Sequence, residues 1–537
     1  MVLNLATPGV YVQELPGSPG ITGVSTSVAA FVGVTASGPV QTPTRVSSWN
    51  EYQQHFGGLA WNAMVSWAVY GFFAEGGGPC HVVQAADLAK ATAARLCTGP
   101  LTLSAATPGA WGNALHVRVS NTPLPAGSGA NPTTPLFDLS VLLDPALLAP
   151  PGGPVARLLA FVQANTLASV EIDGKRWVVL EQFSRFTAGS LLNGELASRV
   201  NGQSIFVRVA VAPLTEPQRP ANTGALALAG GSEPRLDLAS ALTALDSVPD
   251  ISLLALPDTV SATGPDGEVS VAVQATQIQT GLQYCETRTS LFMVADPPAE
   301  LDVPGVLSFK TGAGTAPGGN PQALNSAYGA LYYPWVFVFH APSATQVPMP
   351  PSGPVLGRYV YTDQSAGVFK APAGVTDGAL PSVTQLATQL TDSEQGQLNP
   401  QGINGLRNLI NYGNVIWGAR TLSVDLQWTY VSVRRLVIYV EQSLRQGLQW
   451  VTFAPDANPT WAAVTAQVSQ FLTGLWQAGG LFGATAAEAF FVTCDASNNP
   501  PEAQMQGVLY VTVGLAVTHP AEFIVLQVSQ PVAQAGS

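Results

Sequence analysis

Histidines and cysteines are the residues of this chain best suited to nucleophilic, acid–base or metal chemistry, and their spacing argues against all three. His55, His81, His116, His340 and His519 are scattered, with no two at ligand spacing. Cys80, Cys97, Cys285 and Cys494 are too few and too far apart for a disulfide framework or a CxxC knuckle, and read as buried thiols of a reducing compartment. Cys80 beside His81 would make a thiolate–imidazole pair only if both side chains pointed the same way. On a strand such as Cys80 to Gln84, neighbours point to opposite faces.

The phosphate- and metal-binding patterns fare no better. GxxxxGK[ST], HExxH, GxSxG and the calcium-loop pattern are all missing. Gly312-Ala-Gly-Thr-Ala-Pro-Gly-Gly319 has its third glycine one residue too late for GxGxxG, and Pro317 would interrupt a following helix, so it reads as a flexible loop. Tyr284-Cys285-Glu286, then Leu291 to Ala295 and Asp296-Pro297-Pro298, reads as helix, buried strand and loop with Cys285 in the core. No catalytic residue, cofactor site or metal site is expected. An α/β enzyme assembled from distant residues stays open as the weaker alternative.

The elements that hold these residues belong to a chain with unusually little charge. Of 537 residues only 21 are Lys or Arg and 33 Asp or Glu, which is 10%, against about 25% in ordinary soluble chains. A compact monomer of this mass would expose about 18,000 Å², a surface this chain can coat only thinly with charge. With 47% hydrophobic residues and a mean hydropathy of +0.23, a membrane protein is the first alternative, but that needs about 18 consecutive apolar residues. The longest candidate runs, Tyr328 to Phe339 and Gly507 to Val517, are shorter, and Pro334 interrupts the first. Disorder is excluded by 11 Trp, 13 Tyr and 20 Phe. A net charge of −12 argues against a nucleic-acid binder. Only Lys90, Lys175, Lys310 and Lys370 are lysines; the arginine excess suits interfaces and suits a GC-rich genome equally well. Met1 to Pro8 lacks the basic and apolar regions of a signal peptide.

Along the chain, Pro8-Gly-Val-Tyr-Val-Gln-Glu14 reads as a short strand followed by the linker Leu15 to Gly20. Ser27 to Thr35 is strand-like, Trp61 to Glu75 has helical spacing, and Cys80 to Gln84 is a buried strand. Strands at Trp177 to Leu180 and Ile205 to Val209 lie in a stretch rich in Pro, Gly, Ser and Thr. Ile251 to Leu256 and Ala330 to Phe339 read as further buried strands. Val433, Leu436, Val437, Val440, Leu444 and Leu448 make one helical stripe, with Arg434, Glu441 and Arg445 on another face. Asn458-Pro459 opens the next helix, whose stripe is Trp461, Val464, Val468, Phe471, Leu472 and Leu475. Strands Ala489 to Cys494, Val508 to Val513 and Glu522 to Ser529 close the chain, so both ends carry detached strands.

A detached strand can complete its own chain's sheet, or it can add to the open sheet edge of a neighbouring molecule, where main-chain hydrogen bonds supply affinity. The sparse charge and the Pro/Gly linker favour exchange. A head-to-tail contact that does not close on itself builds a helical filament.

Three groups of motifs carry a family resemblance. The first is Pro8 to Glu14, Gly23 to Gly33, Gly38-Pro39, Ser48-Trp49 and Phe56-Gly57. The second is Ala330 to Trp335, Pro350 to Gly353, Thr362-Asp363 and Lys370 to Gly374. The third is Asn399-Pro400, Ile403-Asn404, Trp417 to Leu422, Tyr430 to Arg435, Gly483, Glu488 to Phe490 and Pro520 to Ile524. With these in order, the chain resembles the contractile tail sheath proteins of myophage tails, R-type pyocins and extracellular contractile injection systems, with 100–230 the least matched stretch. Ser432 stands where such sequences often have Asn, and Leu228 to Gly231 lacks the usual following Asp-Gly.

The resemblance implies an α/β and α+β multidomain chain. It has a mixed-sheet core with helices, an inserted β-rich outer domain, and terminal arms that add strands to neighbouring subunits. The divisions expected are an N-terminal arm at 1–22, core at 23–98, insertion at 99–230, a second core part at 231–398, a C-terminal domain at 399–518 and a C-terminal arm at 519–537. It also implies a structural subunit, with no catalysis, that polymerises helically around an inner tube and contracts. Its partners would be itself, the tube, baseplate proteins and terminator or cap proteins, without nucleic-acid contact or membrane insertion. Assembly is expected in the bacterial cytoplasm, within a phage tail or phage-tail-like particle. Val10, Tyr11, Val12, Phe523, Val525 and Val528 are the expected arm residues. Arg434, Arg435, Glu441 and Arg445 are candidates for contacts with the tube, with other subunits or within their own domain. A non-contractile polymer of capsid or surface-layer type is the competing structural reading.

Overall fold

The apolar runs pair into an eight-stranded sheet. The computed structural model describes residues 20–122, 136–148, 156–262, 269–299, 301–312 and 322–523. Its strands are β1 (Ala29–Gly33), β2 (Thr44–Val46), β3 (Cys80–Gln84), β4 (Leu253–Ala255), β5 (Phe292–Ala295), β6 (Gly329–Tyr333), β7 (Ile403–Leu409) and β8 (Gly413–Ile416). The order is β8-β7-β6-β5-β4-β1-β3-β2. The six strands from β7 to β3 run parallel, and β2 and β8 close the edges antiparallel. Every residue of β1, β3, β4, β5 and β6 is buried, as expected of parallel strands covered on both faces.

One covering layer is a pair of helices, α1 (Met64–Ala74) and α2 (Ser352–Ser365). α1 is apolar nearly all round and buried on most of its surface, including Trp67, Ala68 and Phe72. α2 fits against it because Gly353 and Gly357 have no side chain. A Cβ on Gly353 would overlap the Ala68 carbonyl oxygen and lie 2.5 Å from Ala68 Cα, and one on Gly357 would lie 2.6 Å from the Phe72 carbonyl oxygen.

Between β3 and β4 the chain builds a three-stranded sheet (Arg95–Thr98, Leu101–Ala105, Val207–Val211) and a five-stranded sheet containing the long strand Lys175–Phe186. The Ala330 to Phe339 run is two strands. Gly329–Tyr333 joins the large sheet, and Val336–His340 pairs with Thr345–Met349 and Val383–Leu386 in another.

Contacts divide the chain into a large unit, Ser25–Ile438 with the described residues 519–523, and a small unit, Tyr439–Thr518 with the described residues 20–24. The division falls at Ile438/Tyr439, forty residues beyond the expected start of a C-terminal domain at 399. Ile403 pairs with Leu331, and Leu406 pairs with Ile416, so β7 and β8 extend the large sheet. Helix α3 (Val431–Gly447) spans the division. The small unit continues with α4 (Asn458–Gln477), β9 (Phe490–Thr493) and β10 (Thr512–Leu515), the last starting four residues later than its apolar run suggested.

Candidate subunit interface

In the small unit, β9 and β10 form an antiparallel pair, with Phe490 opposite Leu515 and Thr493 opposite Thr512. Phe491 lies across Gly514, where a Cβ would collide with its ring. The loop between the strands is pinned by Asn499, which is fully buried. It accepts from the Tyr510 N–H at 2.6 Å and donates to the Tyr510 carbonyl at 3.0 Å. Past β10, the Ala516 N–H donates to Ala489 O at 2.9 Å, and Ala516 O accepts from the Phe482 N–H at 2.7 Å. Backbone polarity alternates along a strand, so Ala516, Gly514 and Thr512 face β9, while Val513, Leu515 and Val517 turn their N–H and C=O groups outward. Among the described residues nothing pairs with that outward edge, nor with the far edge of β9.

Exposed apolar side chains crowd the same unit. Phe453, Met505, Phe482, Phe491 and Tyr510 are all more than half exposed. Phe453 combines full exposure with a φ of 70°, a left-handed conformation that is rare for a bulky side chain. In the large unit the hairpin tip between β7 and β8 exposes Ile410 and Tyr412, and the loop before α3 exposes Val424 and Leu426. The charge coat is meanwhile thinner than composition suggests. Glu75, Asp138, Arg157, Glu181, Asp258, Asp296, Lys310, Arg358, Arg434 and Arg435 are buried.

Of the four candidate charge contacts, two are engaged inside the large unit. Arg434 stacks between the Tyr328 and Trp428 rings, 4.0 and 4.6 Å from their centroids, and donates to the Tyr328 hydroxyl. Arg435 makes a two-pronged bond to Asp363, at 2.9 and 2.6 Å, and lies 4.9 Å from the Tyr359 ring. Glu441 and Arg445 are exposed on the small unit's part of α3. Val10, Tyr11, Val12, Val525 and Val528 lie outside the described residues. Phe523 is 76% exposed. Just before it, Glu522 pairs with Arg420, whose Nε lies 3.0 and 3.1 Å from the two carboxylate oxygens.

The sequence motifs Gly23 to Ser27, Thr362-Asp363 and Arg434-Arg435 gain a structural meaning that spacing did not supply. Within the large unit, Thr26, Ser27, Asp363 and Arg435 meet at one half-buried site. The hydrophobic tips Ile410, Leu426 and Phe453 were missed. The only local signals for them are apolar residues set in turns, such as Ile410 beside Asn411, whose φ is 74°.

Cys80 and Cys285 are fully buried, and burial pushes both thiols up. His81 lies 3.5 Å from Asp250. Gly312 ends a helix, and the rest of that glycine-rich stretch lies outside the described residues. A cavity of about 470 Å³ is lined by Trp335, Phe337, Tyr333 and Arg157, with Asp302 and Glu394 at its wall. Both carboxylates cap helices, Asp302 accepting from the Gly305 N–H at 2.8 Å and Glu394 from the Thr391 N–H at 2.8 Å.

At the carboxyl ends of β4 and β5, Asp258 and Asp296 receive the starts of α1 and α2. Asp258 accepts from the N–H groups of Met64, Val65 and Val34 at 2.9, 3.1 and 2.9 Å, and Asp296 from Ser352 at 2.8 Å. Burial raises both pKa values to about 7. For Asp296 the ordinary unfolded value is about 3.9, so folding takes up a proton. That contribution is complete below about pH 4 and is lost as the pH rises through about 7. Asp296→Asn keeps the acceptor for Ser352 and removes the titration. Well above pH 7 it should exceed the wild type in stability by on the order of 4 kcal/mol, with the advantage vanishing near pH 4. Urea midpoints at pH 4.5 and 8 check this; parallel midpoints for the two proteins would contradict it.

Comparison with known proteins gives this arrangement a setting. Residues 423–530 match the phage tail sheath C-terminal domain. The tail sheath protein of Vibrio phage KVP40 is 23% identical over 326 residues, covering 56% of this chain and 47% of that protein. The tail sheath protein of Enterobacteria phage T4 is 22% identical over 250 residues, covering 45% and 36%. The chain thus matches less than half the length of either relative. Among solved structures, the contracted sheath of the extracellular contractile injection system PVC superposes with a TM-score of 0.56 at 22% identity, covering 98% of this chain and 99% of that one. The contracted helical sheath of the anti-feeding prophage superposes with a TM-score of 0.55 at 23% identity, with the same coverage.

Proposed function

We propose, on the premise that this chain has the fold of contractile tail sheath proteins and carries their C-terminal domain, that it is the structural subunit of a contractile sheath. Copies polymerise helically around an inner tube in an extended lattice and repack into a shorter, wider one, driving the tube through a target envelope. The observation that carries this reading is the β9–β10 pair, a two-stranded sheet with both edges open among the described residues. An open edge is an aggregation hazard that native chains cover, and here the cover is supplied by neighbours. Residues 10–12 of one copy and 523–528 of another are the added strands.

The exposed apolar tips Ile410, Leu426 and Phe453 suit burial between copies, as does the scarcity of surface charge. Work is stored as a difference in interface free energy between two lattices, so the role calls for no nucleotide and no catalysis. The inner tube, a baseplate and a terminator are the further partners, with assembly in the bacterial cytoplasm as part of a phage tail or a phage-tail-like particle. Among the described residues no helix is long and apolar enough to cross a membrane.

Val513→Pro tests the edge directly. Its N–H faces outward, where proline is tolerated in an edge strand, so the free chain should keep its melting temperature. Strand addition loses a donor and meets a ring, so electron microscopy should find polymer length and yield cut at least about tenfold, the effect of one lost bond and one clash. Sheaths of normal length from this variant would overturn the edge reading.

A further inference from the structure

The segment from Ile21 to Ser27 follows helix α3 contact by contact. In the large unit, Arg435 Nη2 donates to the Thr26 carbonyl at 3.0 Å while its guanidinium grips Asp363, and the Ser27 hydroxyl donates to Asp363 at 3.4 Å. In the small unit, the Val24 N–H donates to Ser443 Oγ at 3.1 Å. A Cβ on Gly23 would overlap the Tyr439 hydroxyl, and one on Gly447 would come within 2.7 Å of the Ile21 side chain. The helix positions touched, 435, 439, 443 and 447, recur every four residues and so follow one face of α3. Two residues beyond Ser27 the chain enters β1, which is paired on both sides, to β3 and to β4.

From this juxtaposition we propose that residues 21–27 are a strap fastened along α3, and that a pull on the segment before them is taken by the helix and the Arg435–Asp363 pair before it reaches β1. Without the strap, tension would pass straight into a central strand whose loss splits the large sheet. The fastening suits that task. A two-pronged guanidinium–carboxylate bond is directional, and with 4% and 1% of the two side chains exposed it is shielded from salt. Gly23 and Gly447 let strap and helix approach more closely than side chains would allow. The inference rests on the sheath reading only for the origin of the pull.

Hydrogen exchange on the full chain, read with sheath integrity by electron microscopy, tests it. Two variants are used: Gly447→Leu, which pushes Ile21 away without touching the core, and Arg435→Met with Asp363→Leu, which replaces the pair by apolar side chains. In the wild type, residues 21–27 should be protected. Both variants should raise their exchange about tenfold, with residues 29–33 unchanged, because the strap opens locally. Sheaths of either variant should assemble and then break into fragments on contraction. Fast exchange of 21–27 in the wild type, exchange unaltered by both variants, or variant sheaths that contract intact would each overturn the strap. If the wild-type chain builds no sheath at all, it is the sheath reading that falls, and the exchange result still decides whether the strap exists.

Discussion

Deleting residues 1–19 is expected to leave a folded chain that does not polymerise. The described contacts of the large unit begin at Ser25, β1 starts at Ala29, and the strap residues are retained, so the melting temperature should stay within about 2 °C of the full chain, the shift that a few tenths of a kcal/mol would cause. What is removed is the proposed donor strand at Val10, Tyr11 and Val12. Each main-chain bond it forms is worth about 1 kcal/mol net, and the contact recurs once per subunit. Loss of one strand per contact therefore weakens every link of the lattice at once. Sedimentation and negative-stain images of the truncated chain beside the full chain provide the measurement. Ordered sheaths from the truncated chain would refute the role given to the arm, leaving the fold untouched.

Gly353→Val should lower the stability of this chain steeply. The new Cβ would overlap the Ala68 carbonyl oxygen and crowd the Ala68 Cα, and the obstacle is backbone, which cannot rotate away. α1 has no room to retreat, since Trp67, Ala68 and Phe72 are fully buried against the sheet. Overpacking of this kind costs about 3 kcal/mol or more. The damage should also reach the strap, because α2 carries Asp363 one turn beyond Tyr359 and any tilt of α2 misplaces the partner of Arg435. Gly396 is the control. Nothing lies within 4 Å of an added Cβ there, and it sits inside the helix Asp392–Leu398, so Gly396→Ala should gain up to about 1 kcal/mol. Denaturant midpoints decide the matter; equal midpoints for Gly353→Val and wild type would show that the helix pair is not the close contact described.

How far the sequence speaks for itself depends on the range of the interaction. The stripes of α3 and α4, the buried strand at Cys80 and the opening strand–helix–strand unit follow from local periodicity, and the structure contains each. Periodicity sets Arg434 off the apolar stripe of α3 but does not say what it or Arg435 touches. Their partners Tyr328, Asp363 and Thr26 lie 72 to 409 residues away, and no local pattern announces them. The large unit reaches to Ile438 for a similar reason. A hairpin such as β7–β8 looks the same whether it opens a new domain or extends an old sheet, and only its pairing to β6 decides. Nor can spacing show that β9 and β10 have no third strand among the described residues, which is the feature on which the functional reading depends.

The most direct test of that reading is cryo-electron microscopy of the full chain expressed with its tube partner, before and after a contraction trigger such as mild denaturant. Helical sheaths of this one subunit are expected in two lattices, a long narrow one and a short wide one, each with extra strands on the edges of β9 and β10. A closed small oligomer, or a single lattice indifferent to the trigger, would contradict it.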